Sequence, residues 1–267
     1  MLSELPAVML AAWLLLGAVA GIIAGLLGLG GGIVIVPALL YLFILQGMPA
    51  DIHMHMAVAT SLATIVFTSV SSTWAHHRHQ AVLWPSVIAL TPGIVLGSIG
   101  GALIAHHLPS HTLRTTFGIF EILVGLQIGF GFKPGAHIKL PGRGGMLVAG
   151  GSIGALSTVL GIGGGTLTVP FLLWCNVHIR NAVATSSACG LPIAAVGAGA
   201  LIIAGSAYQG LPPGSTGYVY WPAAVIIVLG SVVTAPLGAR LAQVLPVVLL
   251  RRIFAVVLTA IGIRMLW

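Results

Sequence analysis

Acidic residues are almost missing from this sequence: Glu4, Asp51 and Glu121 are the whole complement in 267 residues. Charged residues of both signs reach only 5%, against about 25% in a soluble domain. That shortage excludes an ordinary water-soluble globule. The longest polar stretch, Gly131–Gly145, leaves little room for a separate soluble domain. Enzyme chemistry is short of material too. Gly150-Gly151-Ser152-Ile153-Gly154 fits a hydrolase G-x-S-x-G pattern, but it lies in an apolar run, in a chain with a single Asp, where the pattern arises by composition alone. HExxH, Walker and CxxC motifs are absent. The two cysteines, Cys175 and Cys189, have no metal-ligand spacing and read as small buried hydrophobes. No cofactor is implied.

What is present is apolar: 58% of the chain, with a mean hydropathy of +1.14. This is the composition of a polytopic membrane protein whose first partner is the lipid bilayer. The net charge of +7 does not indicate nucleic acid, because the Lys and Arg residues are scattered singly or in pairs and form no basic face. They act instead as topology signals. Apolar segments fall at 6–28, 33–45, 56–75, 82–105, 112–130, 145–161, 166–175, 182–206, 218–241 and 248–266. Crossing a bilayer takes about 20 helical residues, so the second segment of each half is half-helix length. Ala18-Val19-Ala20 imitates a signal-peptidase site, but the residues before it carry Glu4 and no Lys or Arg; the stretch is expected to be a retained helix.

One motif organises the chain and returns in its second half. Gly28-Leu29-Gly30-Gly31-Gly32-Ile33-Val34-Ile35-Val36-Pro37 recurs as Gly161-Ile162-Gly163-Gly164-Gly165-Thr166-Leu167-Thr168-Val169-Pro170. Asp51-Ile52-His53 matches Asn176-Val177-His178, and Ala57 to Ser61 matches Ala182 to Ser186. Trp84-Pro85 matches Trp221-Pro222, and Leu113-Arg114 matches Leu250-Arg251. Three glycines in a row break a membrane helix, and such a break is tolerated where protein or a polar cavity receives the freed backbone groups. Paired breaks in a duplicated membrane protein mark a transporter's binding site.

Charge sets the orientation of the halves. If the short segments cross, Arg78, Lys133, Lys139, Arg143, Arg180, Arg240, Arg251 and Arg252 share one side against Arg114 and Arg264 on the other. If they are re-entrant, the cations divide evenly. The positive-inside rule favours the first arrangement. The expected fold is therefore an all-α polytopic membrane protein of two inverted repeats, about five segments each, with a broken or half-helix after each triplet. Residues 1–132 form the first repeat, 133–144 a cytoplasmic linker and 145–267 the second, with both termini outside. Gly17, Gly21, Gly25 and Gly93, Gly97, Gly101 recur every fourth residue, the spacing that lets helices approach closely.

Half-helix starts offer backbone N–H groups and a positive dipole end to an anion. The expected substrate site is Gly30, Gly31 and Gly32 with Gly163, Gly164 and Gly165, supplemented by hydroxyl donors from Thr60, Ser61, Thr185 and Ser186. Serine and threonine in membrane helices also bond to their own backbone. Glu121 lies mid-helix, where an acid is a functional candidate by default, here for proton coupling. Asp51, His53, Asn176 and His178 recur in matched positions and are candidates for coupling or gating. His76-His77-Arg78-His79 sits among ten histidines, and the internal arginine weakens a metal reading.

The duplicated Gly-x-Gly-Gly-Gly-x-x-x-Val-Pro, each copy followed by Ala-Val-Ala-Thr-Ser, resembles the TauE/SafE family of membrane permeases along nearly the whole chain. The resemblance implies a transporter in a bacterial or archaeal inner membrane, exporting sulfite or handling sulfonates. It transfers no established site residues. The leading expectation is a secondary transporter that moves a small anion by alternating access of the two repeats. A divalent-metal permease using His53, His55 and the 76–79 cluster is one alternative, and a non-transporting scaffold or sensor another. A homo-oligomer is left open.

Overall fold

In the computed structural model the described residues are 7–27, 31–130, 140–244 and 247–267. Gly30 and most of the linker expected at 133–144 lie outside them. Ten helices and one two-residue hairpin occur among the described residues, and five helices are long and apolar enough to cross a membrane. The helices are α1 (Ala7–Leu27), α2 (Gly32–Leu45), α3 (His53–Arg78), α4 (Trp84–His107), α5 (Ser110–Gly129), α6 (Arg143–Leu160), α7 (Gly165–Trp174), α8 (Ile179–Gly205), α9 (Trp221–Val244) and α10 (Val247–Leu266). Each coincides with one apolar segment. Two departures are instructive. α3 and α8 begin three residues before their apolar runs, because polar first turns can project beyond the hydrocarbon. Residues 215–220 form a hairpin, β1 (Ser215–Thr216) with β2 (Val219–Tyr220), where the apolar pattern alone suggested helix from 218.

The fourth-residue glycines are where helices touch. On α1, Gly17, Gly21 and Gly25 lie against the backbone at Ile227, Ser231 and Ala235 of α9, and Gly230 and Gly238 answer against Leu14 and Ile22. On α4, Gly93, Gly97 and Gly101 lie against Leu147, Gly151 and Ala155 of α6, while Gly150 and Gly154 answer against Leu90 and Ile94. In both pairs the numbers rise together, so the helices run parallel. α1 with α9 and α6 with α4 are also counterparts under the sequence repeat. Each half therefore holds a helix of the other.

Corresponding helices that meet run the opposite way. Ser72 bonds to Ser187, Gly190 lies against Ser69 and Gly197 against Leu62, so α3 and α8 are antiparallel. Gly118 lies beside Gly262, Gly125 beside Thr259 and Gly129 beside Ala255, so α5 and α10 are antiparallel as well. α3 is the central element: in its N-terminal half Met54, Met56, Leu62 and Ile65 are among the most deeply buried side chains.

Where backbone meets backbone, a side chain has nowhere to go. Gly97→Leu is expected to lower stability by about 1–3 kcal/mol or more through overpacking. Gly100→Ala, at a position facing open space, should leave stability unchanged or slightly raised. Thermal unfolding of the two variants in detergent checks the contrast.

Candidate functional site

Both half-helices start at a glycine, though only the first of the two is left-handed. Gly31, in the left-handed region at φ +76°, precedes α2, and no side chain caps the helix. The Gly31 carbonyl accepts from the N–H groups of Val34 at 3.0 Å and Ile35 at 3.1 Å. At α7, Gly164 stands in that place, again without a side-chain cap, and its carbonyl accepts from Leu167 and Thr168. α6 closes into the second break through left-handed Gly161 (φ +66°), with the Ile162 N–H donating to Ser157 O at 2.9 Å. The breaks touch: a Cβ on Gly32 would stand 2.9 Å from Ile162 Cα. Gly31 meanwhile backs onto Ala20 of α1, and Gly164 onto Ile193 of α8.

The four expected hydroxyl donors lie two turns inside α3 and α8, not at the helix starts. Ser61 Oγ donates to Gly161 O at 2.8 Å, tying α3 to the second break. Ser186 Oγ donates to Val183 O at 2.8 Å, one turn back on its own helix. Thr60 Oγ1 accepts the Tyr220 N–H at 3.0 Å, and Thr185 Oγ1 accepts the Leu83 N–H, also at 3.0 Å. Tyr220 and Leu83 each immediately precede a Trp-Pro helix start. The two threonines thus anchor the chain entering α9 and α4, a role in scaffolding that recurrence in both halves could signal but not specify.

Between α3 and α8 lies a narrow crevice, too tight to admit a water molecule, lined by Ala24, Thr68, Ser69, Ser72, Gly163, Ser186, Ser187 and Gly190. It brings Gly163 and Ser186 together with hydroxyls that sequence reasoning missed. Thr68, Ser69 and Ser72 share one face of α3 at helical spacing, and Thr68 bonds to Ser231 at 2.8 Å. The detectable signal was there: Thr68, Ser69, Ser71, Ser72 and Thr73 crowd the second half of an apolar helix. A second set of hydroxyls surrounds the second break. Ser157, Thr158, Thr166 and Thr168 are all buried, and their side-chain oxygens have no hydrogen-bond partner among the described residues.

The remaining candidates sit away from the breaks. Asp51 accepts a short hydrogen bond from the Tyr208 hydroxyl. That bond holds the Tyr208 hydroxyl above its ordinary range, and burial does the same for Tyr218. Tyr218 in turn meets His106 Nδ1 at 3.1 Å and packs on His55. His53 Nε2 lies 2.6 Å from Met48 O. At the other end of α3 and α8, His178 caps α8 by accepting the Arg180 N–H. Asn176, left-handed at φ +62°, closes α7 as Gly47 (φ +67°) closes α2; both endings share the same pair of backbone bonds, Met48 to Phe43 and Val177 to Leu172 among them. Glu121 is wholly buried on α5, and neither oxygen has a partner among the described residues.

The histidines of the metal alternative other than His79 each hold a hydrogen bond of their own. His55 Nε2 lies 3.0 Å from Leu108 O, His76 Nε2 lies 3.2 Å from Gly25 O, and His77 Nδ1 accepts from Trp84 Nε1. No group of three or more His, Cys, Asp or Glu side chains able to hold a metal occurs among the described residues.

The threonine anchors make a matched pair for testing. Thr60→Val strands the buried Tyr220 N–H and is expected to cost about 1–3 kcal/mol. Thr185→Val should cost less, because the Leu83 N–H is only partly buried. Thr60→Ser keeps the acceptor and should recover most of the loss, all three read from unfolding midpoints.

Known proteins resemble this chain along nearly its whole length. A Haemophilus influenzae protein named "Probable membrane transporter protein" is 34% identical over 253 residues, covering 94% of this chain and 96% of its own length. Probable membrane transporter proteins of Bacillus subtilis and Methanocaldococcus jannaschii are 29% and 28% identical, again covering about 94–95% of both chains. No solved structure matches. The family described as Sulfite exporter TauE/SafE matches residues 13–265, and with the paired glycine breaks at its centre this multi-pass membrane chain belongs to that family.

Proposed function

We propose that the protein is a secondary transporter of a small oxyanion, sulfite or an organosulfonate, in a bacterial or archaeal inner membrane. The observation that carries the reading is the seating of the uncapped α2 start on the second glycine break, beside a hydroxyl-lined crevice. Such a start favours negative charge by about 0.3–1 kcal/mol when exposed and up to about 2 kcal/mol when partly buried. The hydroxyls of Ser72 and Ser187, which donate to Ser187 and to Val183 O, turn to the substrate and add donors without a fixed buried cation. The substrate site consists of Gly31, Gly32, Gly163, Gly164 and Gly165, with Ser186 and the α3 hydroxyls in place of Thr60, Ser61 and Thr185.

The halves act as inverted repeats of five crossings. Support comes from the antiparallel pairing of α3 with α8 and α5 with α10, which four crossings per half would make parallel. The Asp51–Tyr208 bond agrees: five crossings bring both residues to the outer side, where both termini also lie. Alternating access is a rocking of the halves about the breaks. Glu121, buried and without a partner among the described residues, is the proton-coupling residue.

Two experiments test this. Purified protein with sulfite at about 100 times its dissociation constant should be stabilised by about 2.7 kcal/mol, and proteoliposomes should take sulfite up saturably. Replacing both members of the Ser72–Ser187 bond with Ala should barely move stability, since neither partner is left stranded, yet weaken sulfite affinity about tenfold or more. No saturable flux of any anion would leave the scaffold or sensor reading. Glu121→Gln should keep sulfite exchange while losing accumulation driven by a pH gradient; retained accumulation removes Glu121 from coupling.

A further inference from the structure

Under the sequence repeat the two breaks are equivalent, but their surroundings are not. Around the second break stand Ser157, Thr158, Thr166 and Thr168, with exposures of 0%, 0%, 6% and 0%. The repeat places Ala24, Gly25, Ile33 and Ile35 at the corresponding positions of the first half. Four hydroxyls face three hydrocarbon side chains and a glycine. None of the four has a hydrogen-bond partner among the described residues, although a buried unpaired hydroxyl costs about 1–3 kcal/mol. Ser157 and Thr158 end α6 and Thr166 and Thr168 open α7, so the four unpaired hydroxyls flank the second break. Thr168 is at the centre: a Cβ on Gly164 would lie 3.0 Å from its Oγ1. Gly163, the residue before, opens onto the space shared by Ser69, Ser72 and Ser187.

The donor set is also neutral. No Lys or Arg lines that space or touches Gly164 among the described residues. Hydroxyls and backbone N–H groups can replace the hydration of one negative charge. The cost of burying an ion grows with the square of its charge, and a second charge without a paired cation is not offset.

We infer that the anion is held off the centre of the repeat, at the second break, with the Thr158 and Thr168 hydroxyls on the α8 side as its donors, and that the protein therefore takes singly charged oxyanions and rejects dianions. This rests on the transport reading above but goes beyond it in placing the substrate on one half and fixing its charge.

Methanesulfonate, a monoanion at every accessible pH, and sulfate, a dianion throughout, are the probes. In competition for saturable uptake into proteoliposomes, methanesulfonate should inhibit and sulfate should be about 100-fold weaker or worse. Thr168→Val and Thr158→Val, close in shape but without the hydroxyl, should each weaken methanesulfonate about 10- to 100-fold, the worth of a hydrogen bond to a charged group. Thr168→Ser should restore it, and Ile35→Val at the matching site of the first half should leave affinity unchanged. Sulfate competing as well as methanesulfonate, or full affinity in both valine variants with folding intact, overturns the inference while leaving an anion transporter standing. Absence of uptake of every anion removes the transport reading itself, and this inference with it.

Discussion

Everything in this structure follows from the intolerance of hydrocarbon for an unpaired backbone N–H or C=O. A helix satisfies those groups internally, and a run of glycines that interrupts the helix releases them where lipid cannot receive them. The chain answers by sinking both interruptions into protein. Gly32 is pressed against Gly161 and Ile162, Ser61 donates to the freed Gly161 carbonyl, and the start of each half-helix is kept from lipid by α1, α3 or α8. The same arrangement that makes the breaks tolerable seats the positive end of α2 on the second break.

Bringing the breaks together requires the surrounding helices to approach at backbone distance, and glycine supplies it. The contacts of α1 with α9 and of α4 with α6 cross between the halves, so neither half can rearrange without carrying a helix of the other. The hairpin at 215–220 extends this linkage. Tyr220 is held by Thr60 within α3, and the neighbouring Tyr218 reaches His106 at the end of α4. The turn before α4 is held at the opposite end by Thr185 and by Asn181, whose side chain donates to Ala81 O. Each central helix therefore grips the entry to a helix that belongs on the other side of the molecule.

Much of this is legible from residues alone. Segment boundaries follow hydropathy, and the glycine spacing names the contacting faces. The triplets locate the breaks because consecutive glycines have few other uses in an apolar chain. The roles of individual hydroxyls are not legible, since a threonine in a membrane helix can cap a neighbour, bond its own turn or face a cavity. Thr60 and Thr185 illustrate this: their recurrence signals importance, and only the positions of Tyr220 and Leu83 say what kind. Asn176 is similar, because its alignment with Asp51 suggested gating, whereas the backbone gives it the left-handed position that Gly47 fills in the first half. The hydroxyls at 157, 158, 166 and 168 escaped notice because attention to symmetry passes over what the halves do not share.

The central claim is that the halves cross the membrane in opposite senses so that the two breaks meet. The most direct measurement is labelling from outside intact cells with a membrane-impermeant thiol reagent. It would use single cysteines at Asp51, Gln209, Gln80 and Val177 in a background lacking Cys175 and Cys189. The account expects Asp51 and Gln209 to react together, with Gln80 and Val177 both protected until the membrane is opened. Reaction of Gln80 with Gln209, and protection of Asp51, would place matched loops of the two halves on the same side and contradict it.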